Sequence, residues 1–115
     1  MKKLEIIIRP DKLERLKQIL NDTAIGGITV LSVMGCGNQK GASDIESIKG
    51  LKVSNMNLIP KIMAIVVVND GAVDRILSAV HSEISTGKVG DGKVFVSDIE
   101  DSMRIRTGER GKKSI

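Results

Sequence analysis

The chain has 115 residues, with 18 Lys or Arg against 14 Asp or Glu, which gives a formal net charge of +4. This length favours a single domain with a modest hydrophobic core, which association with further copies would stabilise. The only aromatic residue is Phe95, so the chain lacks the stacking platforms that single-stranded nucleic acid requires. Much of the positive charge lies near the end of the sequence without a recognition motif, which disfavours nucleic-acid binding.

The composition also indicates a cytoplasmic protein. The single cysteine, Cys36, cannot form an internal disulfide, and no apolar run approaches the roughly 20 residues of a membrane span. The opening residues are charged at Lys2, Lys3 and Glu5, which is unlike a secretory signal peptide. We therefore expect a protein that is neither secreted nor inserted into a membrane.

The first part of the chain predicts a strand, a helix and a second strand. Residues Leu4–Arg9 are apolar and rich in β-branched side chains, as in a strand. A helix is predicted to begin at Pro10-Asp11, with Asp11 as its side-chain cap, and to end before Gly26-Gly27. Strand character resumes over Ile28–Met34.

The second part predicts a strand, a helix and a last strand, after a connection over residues 38–57. That connection is too long for an ordinary loop, and such segments are typically functional or disordered. Strands are predicted over Ile62–Val68 and Lys93–Ile99. The helix between them carries one apolar stripe, formed by Val73, Ile76, Leu77, Val80 and Ile84. The order βαββαβ predicts an α+β, ferredoxin-like sandwich in a single domain over residues 1–115.

The strand Ile62–Val68 is apolar on both of its alternating faces. Two helices cover only one side of such a sheet, so the other side needs a second cover. Association with copies of the same chain in a closed ring is one solution. The alternative is that loops of the same chain cover the strand.

The most informative motif is the run from Ser85 to Lys93, which holds three glycines and two lysines before an apolar strand. Glycines allow the backbone to approach an anion closely, and successive N–H groups with an ammonium group supply donors and charge. The spacing differs from a Walker A loop, because a strand and not a helix follows Lys93. The run predicts an unusual phosphate-binding loop.

Together with the βαββαβ order and the long connection, six motifs spread over the chain make it resemble the PII signal-transduction proteins, which are trimeric regulators of nitrogen metabolism. These motifs are Met1-Lys2-Lys3 with Arg9-Pro10, Gly27-Ile28-Thr29-Val30, Gly35-Cys36-Gly37-Asn38-Gln39-Lys40-Gly41, Leu58-Ile59-Pro60-Lys61, the run from Thr86 to Val96, and Arg104-Ile105-Arg106-Thr107-Gly108-Glu109.

The resemblance implies a homotrimer that binds ATP or ADP in clefts between subunits. In that picture Arg104 and Arg106 reach in from the neighbouring subunit, and their i, i+2 spacing on an extended segment would point both the same way. The alternative is that they belong to a solvated tail. The implied nucleotide-binding residues are Gly27, Thr29, Gly35, Gly37, Asn38, Gln39, Val67, Gly87, Gly90, Asp91, Gly92, Lys93, Arg104 and Arg106.

The family also senses 2-oxoglutarate beside ATP and magnesium. The resemblance assigns the 2-oxoglutarate site to Gln39, Lys40, Gly41 and Lys61, with the Gln39 side-chain oxygen available to Mg²⁺. Taken alone, these residues are equally consistent with a turn and a surface lysine.

Three departures from the family pattern affect the expected regulation. The chain has no tyrosine, so it lacks the loop tyrosine that is nucleotidylated in many relatives. Asn38 replaces a common arginine, and Ile65 replaces a common acidic residue in the third strand. The partner that the long loop would contact is expected to be a membrane transporter, its cytoplasmic subunit or a metabolic enzyme.

We therefore predict a regulator and not an enzyme, and two other functions remain as alternatives. An ATP-dependent enzyme would need nucleophile and base pairs that the sequence does not offer, since His81 falls within a helix and Cys36 has no basic neighbour to activate it. Asp91 between two glycines is typical of a turn. A basic adaptor that binds acidic surfaces through residues 104–113 would lose its partner at moderate salt and ignore nucleotides.

Overall fold

A computed structural model describes residues 1–23, 25–37 and 58–115. The chain forms four strands and two α-helices in the predicted βαββαβ order. These are β1 (Lys2–Ile8), α1 (Leu13–Asp22), β2 (Thr29–Gly35), β3 (Ile59–Val68), α2 (Val73–Ile84) and β4 (Gly92–Asp98). The strand β3 begins earlier than the predicted Ile62, because ladder pairing with β2 continues to the pair Gly35 and Ile59.

The strands form one antiparallel sheet in the order β2-β3-β1-β4. The register aligns Ile6 of β1 with Ala64 on one side and with Val94 on the other. The first and third strands therefore lie in the centre, and β2 and β4 form the edges. This topology confirms the predicted α+β, ferredoxin-like fold.

Both helices pack on one face of the sheet. Alternate residues of β1 and β3 meet the apolar stripes of the helices, as periods of 2 and about 3.6 residues require. Helix α1 buries Leu16, Ile19 and Leu20, and the predicted stripe of α2 is buried or packed against the core. The strands contribute to this core with Leu4, Ile6, Ile8, Ala64, Val66 and Val68.

The start of α1 differs from the prediction. Asp11 does not cap the helix with its side chain, because it lies inside a 3-10 turn over Pro10–Lys12 that precedes Leu13. The N–H of Lys12 donates to the carbonyl of Arg9 at 3.1 Å. Proline fixes a φ that suits the first turn. The N–H of Leu13, which an Asp11 cap would have served, donates instead to the carbonyl of Pro10.

The opposite face of the sheet, here called the open sheet face, is covered by no element among the described residues. It is nevertheless largely apolar, as the two-sided pattern of β3 predicted. Phe95 is 51% exposed and Leu31 is 40% exposed. Half-buried side chains complete this face, namely Ile7, Val33, Met63, Ile65 and Val67. Neither described helix is long and apolar enough to cross a membrane.

Candidate functional site

Residues 85–93, here called the glycine loop, follow α2 and include the first two residues of the edge strand β4. Within the loop, Gly92 pairs with Ile8 of β1. Gly92 has a φ of 114°, and a Cβ at this position would lie 1.8 Å from the Ile7 carbonyl oxygen. Only glycine combines this conformation with this approach, so Gly92 presses the loop against the end of β1.

The carboxylate of Asp91 braces the loop from within. Its Oδ2 accepts from the N–H groups of Thr86 at 2.7 Å and Gly87 at 3.1 Å, and its Oδ1 accepts from the Thr86 hydroxyl at 2.6 Å. These hydrogen bonds, led by those from Thr86, lower the pKa of Asp91 to about 2. Because its negative charge would repel a phosphate, Asp91 contributes to the predicted site by shaping the loop.

Two cationic side chains hold the loop carbonyls from outside. Nη2 of Arg9 donates to the carbonyl oxygen of Val89 at 2.8 Å, and Nε of Arg9 lies 3.6 Å from Oδ1 of Asp91. Nζ of Lys61 donates to the carbonyl of Gly90. Sequence reasoning did not find this role for Arg9, since 80 residues separate it from Val89 and no local pattern links them.

The loop retains donors that face no acceptor within the described residues. The N–H groups of Thr86 and Gly87 bind Asp91, and that of Lys88 donates to the Thr86 hydroxyl at 3.3 Å. The N–H groups of Val89 and Gly90 have no such partner in the part of the chain that is described. With the exposed side chains of Lys88 and Lys93, they are the groups that an anion would meet.

The predicted site residues fall at two ends of the sheet. Gly35 and Lys61 lie at the same end as the glycine loop, and a Cβ on Gly35 would contact Cγ of Lys61 at 3.4 Å. The exposed Gly37 follows β2 at that end. Toward the other end of the edge strand β2 lie Gly27 and Thr29, and Val67 of β3 lies in that half of the sheet as well. One chain therefore does not bring these groups together.

The two predicted arginines lie in a hairpin over residues 103–110, here called the C-terminal hairpin. A bridge between Met103 and Arg110 closes it. The predicted extended arrangement is wrong, because Arg106 lies in a turn and Gly108 adopts a φ of 71°. Arg104 is only partly exposed and donates to Oε2 of Glu109 at 2.7 Å.

The hairpin is tied to the end of the sheet that lies opposite the glycine loop. Its base contacts Met1, since the hydroxyl of Ser102 donates to the Met1 sulfur at 3.3 Å and the N–H of Ile99 donates to the Met1 carbonyl. The strand β4, which separates this base from Gly92, spans roughly 20 Å at about 3.4 Å per residue.

Four of the predicted ligand residues lie outside the described residues, namely Asn38, Gln39, Lys40 and Gly41. The same is true of most of the connection over residues 38–57. Among the described residues, no group of three or more His, Cys, Asp or Glu side chains is arranged to hold a metal ion.

The fold and the loop define a ferredoxin-like α+β protein with a braced glycine loop at one edge of its sheet. The model of the family described as "Nitrogen regulatory protein P-II" matches residues 1–109. The chain is 41% identical to the nitrogen regulatory protein P-II of Bradyrhizobium diazoefficiens and 42% identical to that of Pasteurella multocida, with both proteins covered in full. It is 42% identical to the nitrogen regulatory protein P-II 2 of Methanothermobacter thermautotrophicus, of which 97% is covered.

The chain belongs to the P-II family of nitrogen regulatory proteins, which confirms the resemblance found in its sequence. Membership supports a role as a regulator in signal transduction.

We expect the brace formed by Asp91 to weaken in acid. Because the folded chain lowers the pKa of Asp91 from its ordinary 3.8 to about 2, its stabilising effect is present above roughly pH 4 and is lost as the pH falls towards 2. In urea unfolding, Asp91→Asn should therefore lose less stability over this interval than the unchanged chain does. The exposed Asp11 is a matched control, and Asp11→Asn should keep the original pH dependence. Identical profiles for all three proteins would contradict the brace.

Proposed function

We propose that this protein is a homotrimeric signal-transduction regulator that binds ATP or ADP in clefts between its subunits. In this proposal the conformation of residues 38–57 depends on the ligand bound in the cleft, and a partner protein recognises that conformation. The partner is a membrane transporter, its cytoplasmic subunit or an enzyme of nitrogen metabolism.

The separation of cationic and phosphate-binding groups within one chain is the observation that carries the proposal. At one end of β4 the glycine loop offers two lysines and the N–H groups of Val89 and Gly90, which have no acceptor among the described residues. The C-terminal hairpin with Arg104 and Arg106 is attached at the other end. A triphosphate needs several cationic donors around it. A neighbouring copy supplies its arginines to the glycine loop without any rearrangement of the sheet.

The open sheet face supports assembly from several copies. It carries the exposed Phe95 and Leu31 and the half-buried Ile7, Met63 and Ile65, and large apolar patches at protein surfaces mark interaction sites. Thr29 begins the edge strand β2, Gly27 lies just before it, and two strands separate β2 from β4. Contact between different edges of two copies is a heterologous contact, which closes into a ring when the rotation is correct.

The proposal includes 2-oxoglutarate and Mg²⁺ as further ligands. Lys61 is the described member of the expected 2-oxoglutarate set, and its ammonium lies beside the glycine loop. Because Asp91 is engaged by Thr86 and Gly87, Mg²⁺ is expected to be held by phosphate oxygens and the side-chain oxygen of Gln39. No other described carboxylate has a contact within the loop.

Removal of the Lys93 ammonium is expected to weaken ATP binding. The side chain of Lys93 is exposed on the open sheet face beside the loop, where it would donate to a phosphate. Lys93→Ala should lose roughly 1.5 to 3 kcal/mol, or about 10- to 150-fold in affinity, as for a hydrogen bond to a charged group. Isothermal calorimetry measures this, with Lys17→Ala on α1 as the charge-matched control. Equal affinities for both variants would contradict the assignment.

Disruption of the open sheet face is expected to dissociate the trimer. Sedimentation equilibrium should give three times the chain mass of 12.4 kDa for the unchanged protein. Phe95→Glu places a charge on the open sheet face and should give monomers. Val96 is the matched control, because it follows in the same strand, faces the helices and is 43% exposed. Val96→Glu should remain trimeric, and a monomeric unchanged protein would overturn the proposal.

Partner binding is expected to depend on the bound nucleotide. The immobilised protein should capture a partner from lysate to different extents with ATP and with ADP, because the ligand selects among conformers that the partner reads. Lys93→Ala should lose this difference. Capture that ignores nucleotide and disappears at moderate salt would instead favour a basic adaptor.

A further inference from the structure

We propose that Arg9 is a positioning residue that holds the glycine loop in its anion-binding shape through the Val89 carbonyl and the Asp91 carboxylate. This inference rests on the proposed function, because it concerns the loop that would bind the nucleotide. It assigns to Arg9 a role that does not require contact with the ligand.

The contacts of Arg9 are directed at the loop backbone. Nη2 donates to the carbonyl oxygen of Val89 at 2.8 Å, and a Cβ added to Gly90 would lie 3.0 Å from the same nitrogen. The guanidinium therefore lies against the backbone at Gly90. Since the N–H groups of Val89 and Gly90 are the loop donors left for an anion, a shift of this backbone would redirect them.

The second contact of Arg9 reinforces the internal brace. Its Nε lies 3.6 Å from Oδ1 of Asp91, which is a Coulombic contact beyond hydrogen-bond distance. This Nε is buried and has no hydrogen-bond acceptor within residues 1–23, 25–37 and 58–115. A small inward movement of Asp91 would complete the bond, so the donor favours a tighter loop.

Local sequence explains why Arg9 can hold the loop steadily. It follows the last residue of β1 and precedes Pro10, which restricts it to the extended backbone that it adopts, with φ −64° and ψ 144°. The pairing of Ile8 with Gly92 fixes the distance between its backbone and the loop. The planar fork of the guanidinium places Nη2 on the Val89 carbonyl and Nε beside the Asp91 carboxylate in one fixed geometry.

A comparison of Arg9→Met with Arg15→Met tests the inference. Both variants remove one positive charge, and Arg15 lies on α1, where it pairs with Glu83 at 2.6 Å. In the protein without nucleotide, Arg9→Met should change the amide NMR signals of Val89 and Gly90 and speed hydrogen exchange at Thr86 and Gly87. It should also weaken ATP binding by roughly three- to tenfold, the range of a net hydrogen bond. Arg15→Met should leave the amide signals of the loop unchanged and the ATP affinity within about twofold of that of the unchanged protein.

A double variant separates positioning from direct ligand contact. If Arg9 acts through the loop, the loss of ATP affinity in Arg9→Met with Asp91→Asn should be clearly smaller than the product of the two single losses. Multiplicative losses, or unchanged loop signals in Arg9→Met, would overturn the inference. Circular dichroism and urea unfolding show whether each variant is folded. If the unchanged protein binds no nucleotide, the proposed function fails, whereas the loop signals still decide the role of Arg9.

Discussion

The close approach of Gly92 to the carbonyl of Ile7 is the constraint on which the candidate site depends. With 1.8 Å between that oxygen and the position of a Cβ, any larger residue would force β4 away from β1. The glycine loop would move with β4, and the carbonyls of Val89 and Gly90 would leave the reach of Arg9 and Lys61. The register of the sheet and the geometry of the loop therefore both depend on the absence of a side chain at Gly92.

The distribution of charge around the loop explains why the proposed nucleotide site needs groups from a second copy. Arg9 and Lys61 are engaged by loop carbonyls, and Asp91 adds a negative charge to the interior of the loop. Lys88 and Lys93 remain as exposed cations beside the N–H groups of Val89 and Gly90, which meet no acceptor in the described part of the chain. In the proposed nucleotide site a triphosphate would carry more negative charge than these two side chains balance, so the proposal needs further positive charge from Mg²⁺ and from outside this end of the chain. The hairpin arginines of another copy fit that need, although Arg104 would first have to share its contact with Glu109.

Most of the fold was predictable because local periodicity and packing agree throughout the sheet and the helices. The two-sided apolar pattern of β3 and the stripe on α2 predicted residues that the structure buries or packs against the core, and the predicted strands agree with the observed ones to within about three residues at each end. The predicted Asp11 cap and the predicted extended segment at Arg104 and Arg106 were wrong for local reasons. Proline at position 10 builds a backbone turn that makes a cap by Asp11 unnecessary, and Gly108 with its positive φ turns the chain after Arg106. The run Thr107-Gly108 carried that signal, since a glycine beside a small polar residue is typical of a turn.

The candidate site was predictable only in part, because its geometry depends on contacts between distant segments. The glycine loop itself follows from composition, but its attachment to Arg9 and Lys61 requires the order of the strands in the sheet. Arg9 directly follows β1 and Lys61 lies in β3. No spacing along the sequence shows that both side chains reach the loop. Thr29, which one chain leaves apart from the glycine loop, was assigned to the site through the resemblance alone, whereas Lys93 also followed from the composition of the loop.

The departure at Ile65 has a local physical reason in this structure. The register places Ile65 directly opposite Glu5 of β1 on the open sheet face, and Glu5 in turn lies 3.2 Å from Nζ of Lys3. An acidic side chain at position 65 would face Glu5 across the strands, and like charges in directly opposed positions destabilise a sheet. Isoleucine removes this repulsion and extends the apolar surface towards Thr29 of β2. The substitution therefore keeps the centre of the open sheet face apolar and leaves its single carboxylate neutralised by a neighbouring lysine.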